Sequence, residues 1–386
     1  MKKTNIFFLL VAAVIMLAAV ASVHAQDVDN IKYPTMNKLE IPDVEKITLD
    51  NGIRVYLLED KSLPVFRASV RMNAGSFLEP IDKVGLASIC GTVMRTGGTT
   101  KWSGDEIDEK LEAIGGSVET FIGLESGGAS VNVLSDFTDL GLEVLSEVLR
   151  NPKFEEDKIE LAKVQIKSGI SRRNDDPQAI AFREFRKVIY GADSPYARHT
   201  EYATINAVTR DDIVEFHDKW YKPQNMQIAI WGDFNKKEIL KKLNTYFGDW
   251  KQEGEVVPSL PQVDYKFEQK VHYVKKNDVN QTNILIGHIG GYVTDEDYGD
   301  LIVMNNILGG GFGSRMFNSV RSKEGLAYAV FGSYTANIKY PGIFVGFAST
   351  KSETTVKAVK EIIKSMKTMQ TDPPTTDEMK FGKDSY

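Results

Sequence analysis

Apolar and polar residues follow two different periods along this chain of 386 residues. SVETFIG from Ser117 and ASVNVLS from Ala129 alternate at every second position, which is the pattern of a strand with one buried face. A helical period of three to four residues occurs elsewhere, with one apolar side formed by Leu140, Val144, Leu145 and Val148. The chain is therefore predicted to contain both strands and helices, and MQIAIWGDF predicts a further strand.

Capping residues mark the ends of several helices. Ser103 with Glu106 forms a capping box, which predicts that a helix begins there, and Gly115 followed by Gly116 predicts its end. Asp136 is the predicted cap of the next helix. These signals place helices between the predicted strands.

A weak internal repeat relates the two halves of the chain. The segment from Gly128, GASVNVLSDFTDLGLEVLSEVLRNPKFEEDKIELAK, matches the segment from Gly342, GIFVGFASTKSETTVKAVKEIIKSMKTMQTDPPTTDEMK, at an offset of 214 residues. Each has an alternating strand, a polar turn, a helix, a proline break and an acidic start to a second helix. The glycine stretches at Gly97 and Gly309 give an offset of 212, so a duplication is predicted.

The duplication sets the expected domains and fold class. The first copy begins near the hairpin signal Asn51-Gly52 and closes at YFGDW, so residues 26–250 are expected to form one domain and residues 264–386 a second. Residues 251–263, which contain prolines, are the expected linker. We predict an α+β fold with two homologous domains, each an antiparallel sheet covered by helices.

The second copy is expected to be incomplete. Under the offset of 214 residues, Tyr386 corresponds to Arg172, whereas the first copy continues to about Trp250. The second copy therefore stops about 78 residues short of the first, and a C-terminal part of the protein is expected to be missing from this chain.

The N-terminus predicts export. Lys2 and Lys3 precede an apolar run from Ile6 to Val20, and small residues precede a cleavage position at the end of residues 1–25, which is the layout of a secretory signal peptide. A membrane anchor is the alternative, but the run has about 15 residues, whereas a spanning helix needs roughly 18 or more. The mature chain is expected to be periplasmic or otherwise secreted, without a membrane anchor.

Composition narrows the possible partners. The net charge is −6, and it becomes −8 once residues 1–25 with their two lysines are removed. This moderate acidity argues against nucleic acid or an anionic membrane as a partner. The one cysteine, Cys90, cannot close an intrachain disulfide, and its apolar neighbours predict a buried side chain that is a poor nucleophile.

Several segments, in order along the chain, resemble one known family. They are LDNGIRVYLLED, AGSFLEP, VLRNPKFEEDKIELAK, RRNDDPQ, WYKPQNMQIAIWGDF, YFGDW and LGGGFGSRMFNSVRSKEGLAYAV. Together they resemble the pitrilysin/insulinase-type metallopeptidases (inverzincins), in the branch of half-length subunits that includes the mitochondrial processing peptidases. The resemblance runs from Val44 to the end of the chain. It implies a relation to enzymes that hydrolyse peptide bonds with zinc.

The zinc motif of active members is absent from this chain. In those members, the helix after the AGS strand carries histidine, two residues, glutamate and histidine. Ser88 and Thr92 stand at the two histidine positions and Gly91 at the glutamate position, and Gly169 replaces the glutamate that is the third ligand. None of these residues supplies the imidazole or carboxylate donors that zinc requires.

The other histidines of the mature chain indicate no second metal site. None has another histidine three or four residues away on a helix, so each is interpreted as a surface or core residue. They are His199, His217, His272 and His288. We therefore expect no cofactor in this chain and zinc on a partner subunit.

The second copy keeps a different part of the family pattern. In SRMFNSVRSKEGLAYAV, Arg321 lies seven residues before Tyr328. In active members, an arginine and a tyrosine at this spacing bind the substrate carbonyl near the zinc and stabilise the developing oxyanion. The resemblance implies these roles for Arg321 and Tyr328, since both are donors suited to negative charge. The alternative is a solvated helix-end cation and an ordinary strand residue.

LGGGFGS is the other candidate element of the second copy. Glycine-rich loops bind phosphates through backbone N–H groups, but no Gly-Lys-Ser/Thr sequence follows this one, which argues against a nucleotide. In the non-zinc subunit of the mitochondrial enzyme, a glycine-rich loop contributes to substrate handling. The resemblance implies the same here, and the alternative is a helix entry that needs a flexible backbone. The residues concerned are Gly309, Gly310, Gly311 and Gly313.

These patterns together predict a division of labour between two subunits. The chain is expected to be the zinc-free, substrate-binding subunit of a periplasmic heterodimeric metallopeptidase. Its expected partners are a homologous zinc-bearing subunit and an extended peptide. Two alternatives stay open, namely a non-catalytic peptide-binding or assembly module of the same fold, and an independent hydrolase that uses other residues. A neighbouring gene for a homologue with the intact zinc motif would favour the first interpretation.

Overall fold

The strands of the first half form one six-stranded sheet. The computed structural model describes residues 38, 41–251, 257 and 259–386, so the expected signal peptide lies outside the described residues. The strands are β1 Glu45–Thr48, β2 Arg54–Glu59, β3 Val65–Met72, β4 Ser117–Ile122, β5 Gly127–Leu134 and β6 Met226–Gly232. Their order in the sheet is β1-β2-β6-β3-β5-β4.

One neighbouring pair in this sheet departs from the antiparallel arrangement that the alternating strands predict. β6 lies parallel to β2, whereas the other neighbours run antiparallel. A long connection that contains helices separates β2 from β6, and connections of this kind join parallel strands. β1 and β2 form the hairpin signalled by Asn51-Gly52, where Gly52 has a φ of 88°.

All the helices of the first half except Pro177–Tyr190 contribute with the sheet to one large hydrophobic core. The buried residues of that helix belong to a separate cluster. The helices are α1 Leu86–Thr96, α2 Gly104–Glu112, α3 Thr138–Arg150, α4 Glu156–Arg172, α5 Pro177–Tyr190, α6 Tyr202–Ala207, α7 Arg210–Trp220 and α8 Lys236–Phe247. Val144, Leu145 and Val148 on α3 are fully buried, as their spacing predicts, and Leu140 packs against the same core.

The two capping predictions have different outcomes. The capping box is confirmed, since the Glu106 N–H donates to Ser103 Oγ at 3.2 Å and the Ser103 N–H donates to Glu106 Oε2 at 2.8 Å. The prediction that Asp136 caps the next helix is wrong. The chain first makes a 3-10 turn over Ser135–Phe137, so α3 begins only at Thr138.

The second half repeats the same order on a smaller scale. Its elements are β7 Gln281–Ile289, β8 Gly291–Tyr292, α9 Tyr298–Gly309, a π-helix at Phe317–Lys323, β9 Ala327–Tyr334, β10 Ala336–Asn337, β11 Ile343–Lys351, α10 Thr355–Thr371 and α11 Thr376–Asp384. β7, β11 and β9 form an antiparallel sheet in that order, and β8 pairs with β10.

The structure confirms the duplicated α+β architecture. The series β3, α1, β4, β5, α3 and α4 of the first half recurs as β7, α9, β9, β11, α10 and α11 in the second. The strand order is also the same, since β5 lies between β3 and β4 and β11 lies between β7 and β9. Residues Val44–Tyr386, which contain both halves, form one compact unit. Of the helices that the structure describes, none is long and apolar enough to cross a membrane.

Aromatic side chains on α5 and after it connect the two halves. The Tyr190 hydroxyl donates to Pro341 O at 2.9 Å, and the Tyr196 hydroxyl donates to Pro261 O at 2.5 Å. The Tyr340 ring stacks on Tyr196, with centroids 4.4 Å apart. Because α5 also contacts β7, the two halves meet along this helix.

Candidate functional site

α1 contains the positions of the family's zinc motif. The helix begins after Gly85, which has a φ of 110°, and it packs on β4. Ser88 and Thr92 lie one turn apart on its exposed side, and the Thr92 hydroxyl donates to Ser88 O at 3.0 Å. Two hydroxyl side chains therefore lie side by side where active members of the resembled family have histidines.

Gly91 lies on the buried side of α1, in a position that is tight for any larger residue. A Cβ added there would lie 2.9 Å from both the N and the Cγ1 atoms of Ile122 on β4. From the same strand, the Thr120 hydroxyl donates to Gly91 O at 2.7 Å. The glycine therefore allows α1 to approach β4 closely.

Gly169, by contrast, lies on the exposed surface of α4, the helix that packs against α1. A Cβ added there would meet nothing within 4 Å. The four motif positions thus hold two hydroxyls and two glycines, none of which is a zinc donor in such sites. Within the described ranges, no group of three or more His, Cys, Asp or Glu side chains could hold a metal ion.

The remaining histidines and the cysteine lie at separate places in the fold. His217 is buried in α7, His199 is half-buried, and His272 and His288 are exposed. Cys90 is fully buried, as predicted, and this burial raises the pKa of its thiol well above the usual range. A thiol that stays protonated is a poor nucleophile.

Glu79 is a buried carboxylate that the sequence analysis did not identify. It accepts hydrogen bonds from the N–H groups of Gly85 at 3.1 Å and Ala87 at 3.0 Å, so it holds the start of α1 in place. Burial raises the pKa of Glu79. Arg198 Nη2 donates to Ser76 O at 2.7 Å and to Glu79 O at 2.9 Å. The acidic residue of AGSFLEP, placed shortly before an apolar helix, is the signal that could have identified it.

The structure brings Arg321 and Tyr328 together. Arg321 lies in the π-helix, Tyr328 lies on β9, and Gly325 between them has the positive φ of 60° that their connecting turn requires. Arg321 Cζ lies 5.6 Å from the Tyr328 ring centroid and 4.9 Å from that of Phe317, which are cation–π distances. The side chain of Arg321 has no hydrogen bond or ion pair with any residue that the structure describes, and its carbonyl oxygen accepts from the Gly325 N–H at 3.1 Å.

Tyr328 lies at an irregularity in the pairing of β9 with β11. Ala329 pairs with Ser349 and Ala327 pairs with Thr350, so Tyr328 is an extra residue in this register. Such a β-bulge re-aims a side chain relative to the regular pleat. Tyr328 is 81% exposed, and β9 is at the edge of its sheet. The bulge therefore presents the phenol to solvent beside the guanidinium.

An open groove of about 560 Å³ connects these side chains with the glycine-rich loop. Gly309, Gly310 and Gly311 line it together with Arg321 and Tyr328. Its volume is in the range of sites that bind small molecules or peptide side chains. Three of the four candidate glycines and both candidate donors therefore lie at one place.

The fourth candidate glycine, Gly313, lies outside the residues that line the groove. A Cβ at this position would lie 3.3 Å from the Phe381 ring on α11. Gly309 also has a packing role, because a Cβ there would lie 2.1 Å from Gly332 N on β9. The loop thus combines close packing of its helix with access to the groove.

Two phenylalanines in the groove were missed by the sequence analysis. Phe312 is 80% exposed, and its ring centroid lies 5.0 Å from that of Phe317. Both rings line the groove. An aromatic residue inside the glycine-rich segment GGGFGS is the signal that could have identified Phe312.

Comparisons with known proteins agree with this architecture. The sequence profile of the insulinase family, peptidase family M16, matches residues 54–203, and the profile of the peptidase M16 inactive domain matches residues 207–386. This chain belongs to the insulinase, or M16, family of peptidases. The resemblance found in the motifs is thus confirmed at the level of the family.

Relatives of known sequence and structure extend this comparison. The uncharacterized zinc protease YmxG of Bacillus subtilis is 25% identical over 342 residues, which are 88% of this chain and 82% of the relative. An uncharacterized zinc protease of Rickettsia felis is 28% identical and covers 86% of this chain and 79% of its own length. Among solved structures, a peptidase M16 inactive domain from Pseudomonas fluorescens has a TM-score of 0.76 at 24% identity, covering 89% of this chain and 83% of its own. A protease from Helicobacter pylori has a TM-score of 0.73 at 20% identity, with coverages of 89% and 85%.

Proposed function

We propose that this chain is the zinc-free, substrate-binding subunit of an exported heterodimeric metallopeptidase of the insulinase family. The observation that carries this proposal is the contrast between two places in the molecule. Arg321 and Tyr328 lie together in an open groove, whereas the zinc-motif positions hold Ser88, Gly91 and Thr92. Such a chain completes a peptidase site only with a homologous subunit that supplies the metal.

The relatives and the N-terminus support this assignment. Relatives over most of the chain are named zinc proteases, which agrees with zinc chemistry elsewhere in the pair. The signal-peptide pattern in residues 1–25 supports a periplasmic or otherwise secreted location.

The two donors have complementary roles at an extended peptide. Zinc held by the partner subunit supplies Lewis acidity at the reacting carbonyl. The Tyr328 hydroxyl and the Arg321 guanidinium donate hydrogen bonds to that carbonyl oxygen as its negative charge grows. The contacts of Arg321 with two aromatic rings restrain the guanidinium before substrate binds, which lowers the entropy lost on binding.

The test is steady-state cleavage of a fluorogenic peptide by the pair reconstituted with a homologue that has the intact zinc motif. Tyr328→Phe should lower kcat more than it raises KM, because the lost hydrogen bond forms chiefly in the transition state. Arg321→Ala should lower kcat and also raise KM, since the cation positions the substrate carbonyl in the ground state as well. Each loss of turnover should be about 10²–10³-fold.

Lys323→Ala is the matched control for loss of charge. Lys323 lies in the same π-helix, is exposed and does not line the groove, so cleavage should be unchanged. Size-exclusion chromatography checks that each variant still forms the pair. If kcat/KM stays at the wild-type value while the pair is intact, the assembly-module alternative becomes the better account of this chain.

A further inference from the structure

The groove beside β9 is long enough for several residues of an extended peptide. The six consecutive residues 328–333 line it. At a rise of 3.3–3.4 Å per residue they span about 20 Å. Successive side chains of a strand point to opposite faces, so a groove lined by six consecutive residues follows the length of the strand. Its shape therefore suits a chain segment more than one compact ligand.

The groove combines apolar walls with one positive charge. Among the described residues that line it, Arg321 is the one with a charged side chain, and Phe312 and Phe317 are aromatic. Phe331 also lines the groove, but its ring stacks on that of Phe347 with centroids 4.8 Å apart. Glu324, the acidic residue closest to Arg321 along the chain, is paired with Lys357 at 2.8 Å. The charge of Arg321 is thus not neutralised by a described carboxylate.

The environment of Arg321 leaves its donors available. Aromatic rings that contact a guanidinium cover its flat faces, whereas its N–H donors point outward in its plane. The ring centroids of Phe317 and Tyr328 lie at 4.9 and 5.6 Å from Arg321 Cζ. A planar guanidinium matches a carboxylate with two parallel hydrogen bonds, and apolar walls strengthen such a pair relative to water.

We infer that the groove selects an extended peptide with an acidic side chain. The carboxylate of that side chain pairs with Arg321, and a flanking apolar side chain lies against the exposed ring of Phe312. This inference rests on the proposed function, under which the bound peptide continues past Arg321 to the partner subunit. The carboxylate therefore belongs to an Asp or Glu side chain and not to the C-terminus of the peptide. Arg321 is then a specificity determinant for substrate, because two of its five N–H donors pair with the carboxylate and the others are left for the reacting carbonyl.

The test measures binding to this chain alone by fluorescence anisotropy. The probe is an eight-residue peptide with Phe-Glu-Val at its centre in a Thr/Ala host, amidated at its C-terminus and labelled with an uncharged dye. Replacing the central Glu by Gln should weaken binding about tenfold or more, because a charge-assisted hydrogen bond becomes a neutral one. In the Arg321→Gln protein, the two peptides should bind equally weakly.

Matched variants separate the specific pair from general attraction. Lys323→Gln removes a cation from the same π-helix outside the groove and should keep the preference for Glu. Arg321→Lys keeps the charge but loses the planar pair of donors, so the preference should be reduced but present. Circular dichroism checks that each variant is folded.

Three results would overturn the inference. They are equal binding of the Glu and Gln peptides by the wild-type chain, a preference that survives in Arg321→Gln, and no binding of either peptide up to millimolar concentration. Tighter binding of a Gln peptide with a free C-terminus than of the amidated Glu peptide would assign the groove to a terminal carboxylate and overturn it as well. Because no partner subunit takes part, these outcomes are independent of the cleavage assay for the proposed function.

Discussion

Single residues at the zinc-motif positions differ in how much space surrounds them. Ser88 and Thr92 are exposed on α1, and Gly169 has open space around it. A Cβ added at Gly91 would instead lie 2.9 Å from both the backbone N and the side-chain Cγ1 of Ile122. Larger side chains can therefore be introduced at Ser88, Thr92 and Gly169 without a clash of this kind. Gly91 stands at the glutamate position, and a larger side chain fits there only if β4 moves.

Gly91→Glu is accordingly expected to destabilise the chain. The added side chain should lower the free energy of unfolding by about 1–3 kcal/mol, which is the usual cost of overpacking. Urea unfolding followed by circular dichroism measures it, with Gly169→Glu as the matched control that should cost little. Combining Gly91→Glu with Ile122→Ala should show a favourable coupling energy. Simple additivity of the two changes would mean that Ile122 is not the obstacle.

Rebuilding the zinc motif is expected to give weak binding at most. The variant Ser88→His, Gly91→Glu, Thr92→His and Gly169→Glu restores the residue types of the ligands and the base. It does not change the neighbouring residues that would orient those ligands, and such neighbours are worth about 10–100-fold in affinity. The wild-type chain should hold no zinc after dialysis. Elemental analysis measures the zinc content of the dialysed wild-type chain, and competition with a chelator measures the zinc affinity of the variant. Tight stoichiometric zinc in either protein would contradict this prediction.

At the scale of elements, an ion pair holds α11 against the segment that follows the glycine-rich loop. Arg315 Nε and Nη2 donate to Glu378 Oε1 at 2.7 Å and Oε2 at 2.9 Å. Glu378 also closes a capping box with Thr375 at the start of α11. Further along the helix, Phe381 lies against Gly311 and Gly313. The position of the glycine-rich loop therefore depends on the docking of α11.

This docking should weaken in acid. The hydrogen bonds from Arg315 lower the pKa of Glu378 to about 2. Because the folded pKa lies below that of an unfolded glutamate, about 4.3, the stabilisation is complete above that value and is lost as the pH falls toward 2. Glu378→Gln should remove about 1–2 kcal/mol at pH 7 and flatten the loss of stability between pH 5 and pH 2.

Urea unfolding at a series of pH values measures this effect. Asp384→Asn is the matched control, since Asp384 pairs with Lys380 one turn away on the exposed side of the same helix. Pairs of this kind contribute little to stability. Equal pH dependence in the wild-type, Glu378→Gln and Asp384→Asn proteins would show that the Arg315 pair does not hold α11.

At the scale of the whole molecule, a tyrosine cluster holds the two halves together. Tyr340 contacts Tyr196 with ring centroids at 4.4 Å and Tyr190 at 6.1 Å. The hydroxyls of Tyr190 and Tyr196 reach carbonyl oxygens of the second half and of the connecting segment. Burial raises the pKa of Tyr196 to about 12. Its hydroxyl is a donor at neutral pH, as a tyrosine hydroxyl ordinarily is. The cluster therefore links the first half directly to the half that contains the groove.

Tyr340→Ala should weaken the coupling between the two halves. Loss of the ring contacts should cost about 2–3 kcal/mol, less than for a fully buried aromatic residue, and it should separate the unfolding of the smaller half from that of the larger. Differential scanning calorimetry measures the number of transitions. Tyr273→Ala is the control, because Tyr273 is 81% exposed. One cooperative transition at the wild-type temperature in both variants would show that the cluster does not couple the halves.

Sequence patterns were enough to identify the family and the duplicated order of elements, and they predict that the zinc ligands are replaced. These features depend on which residue types occur at which spacing, and this is local information. The capping box at Ser103 could be identified for the same reason, since its two partners are three residues apart. The error at Asp136 was also local, because a carboxylate before an apolar run does not show that a 3-10 turn comes first.

Which of these residues lie together depends on the tertiary structure. Arg321 and Tyr328 come together through a turn and a β-bulge, and Phe312 and the glycine-rich loop line the same groove from a different element. The lack of space for a side chain at Gly91 beside Ile122 and the parallel pairing of β2 with β6 were likewise absent from the local patterns. Each depends on contacts between residues far apart in the chain, and the free energy of such contacts is set by the packing of the whole fold.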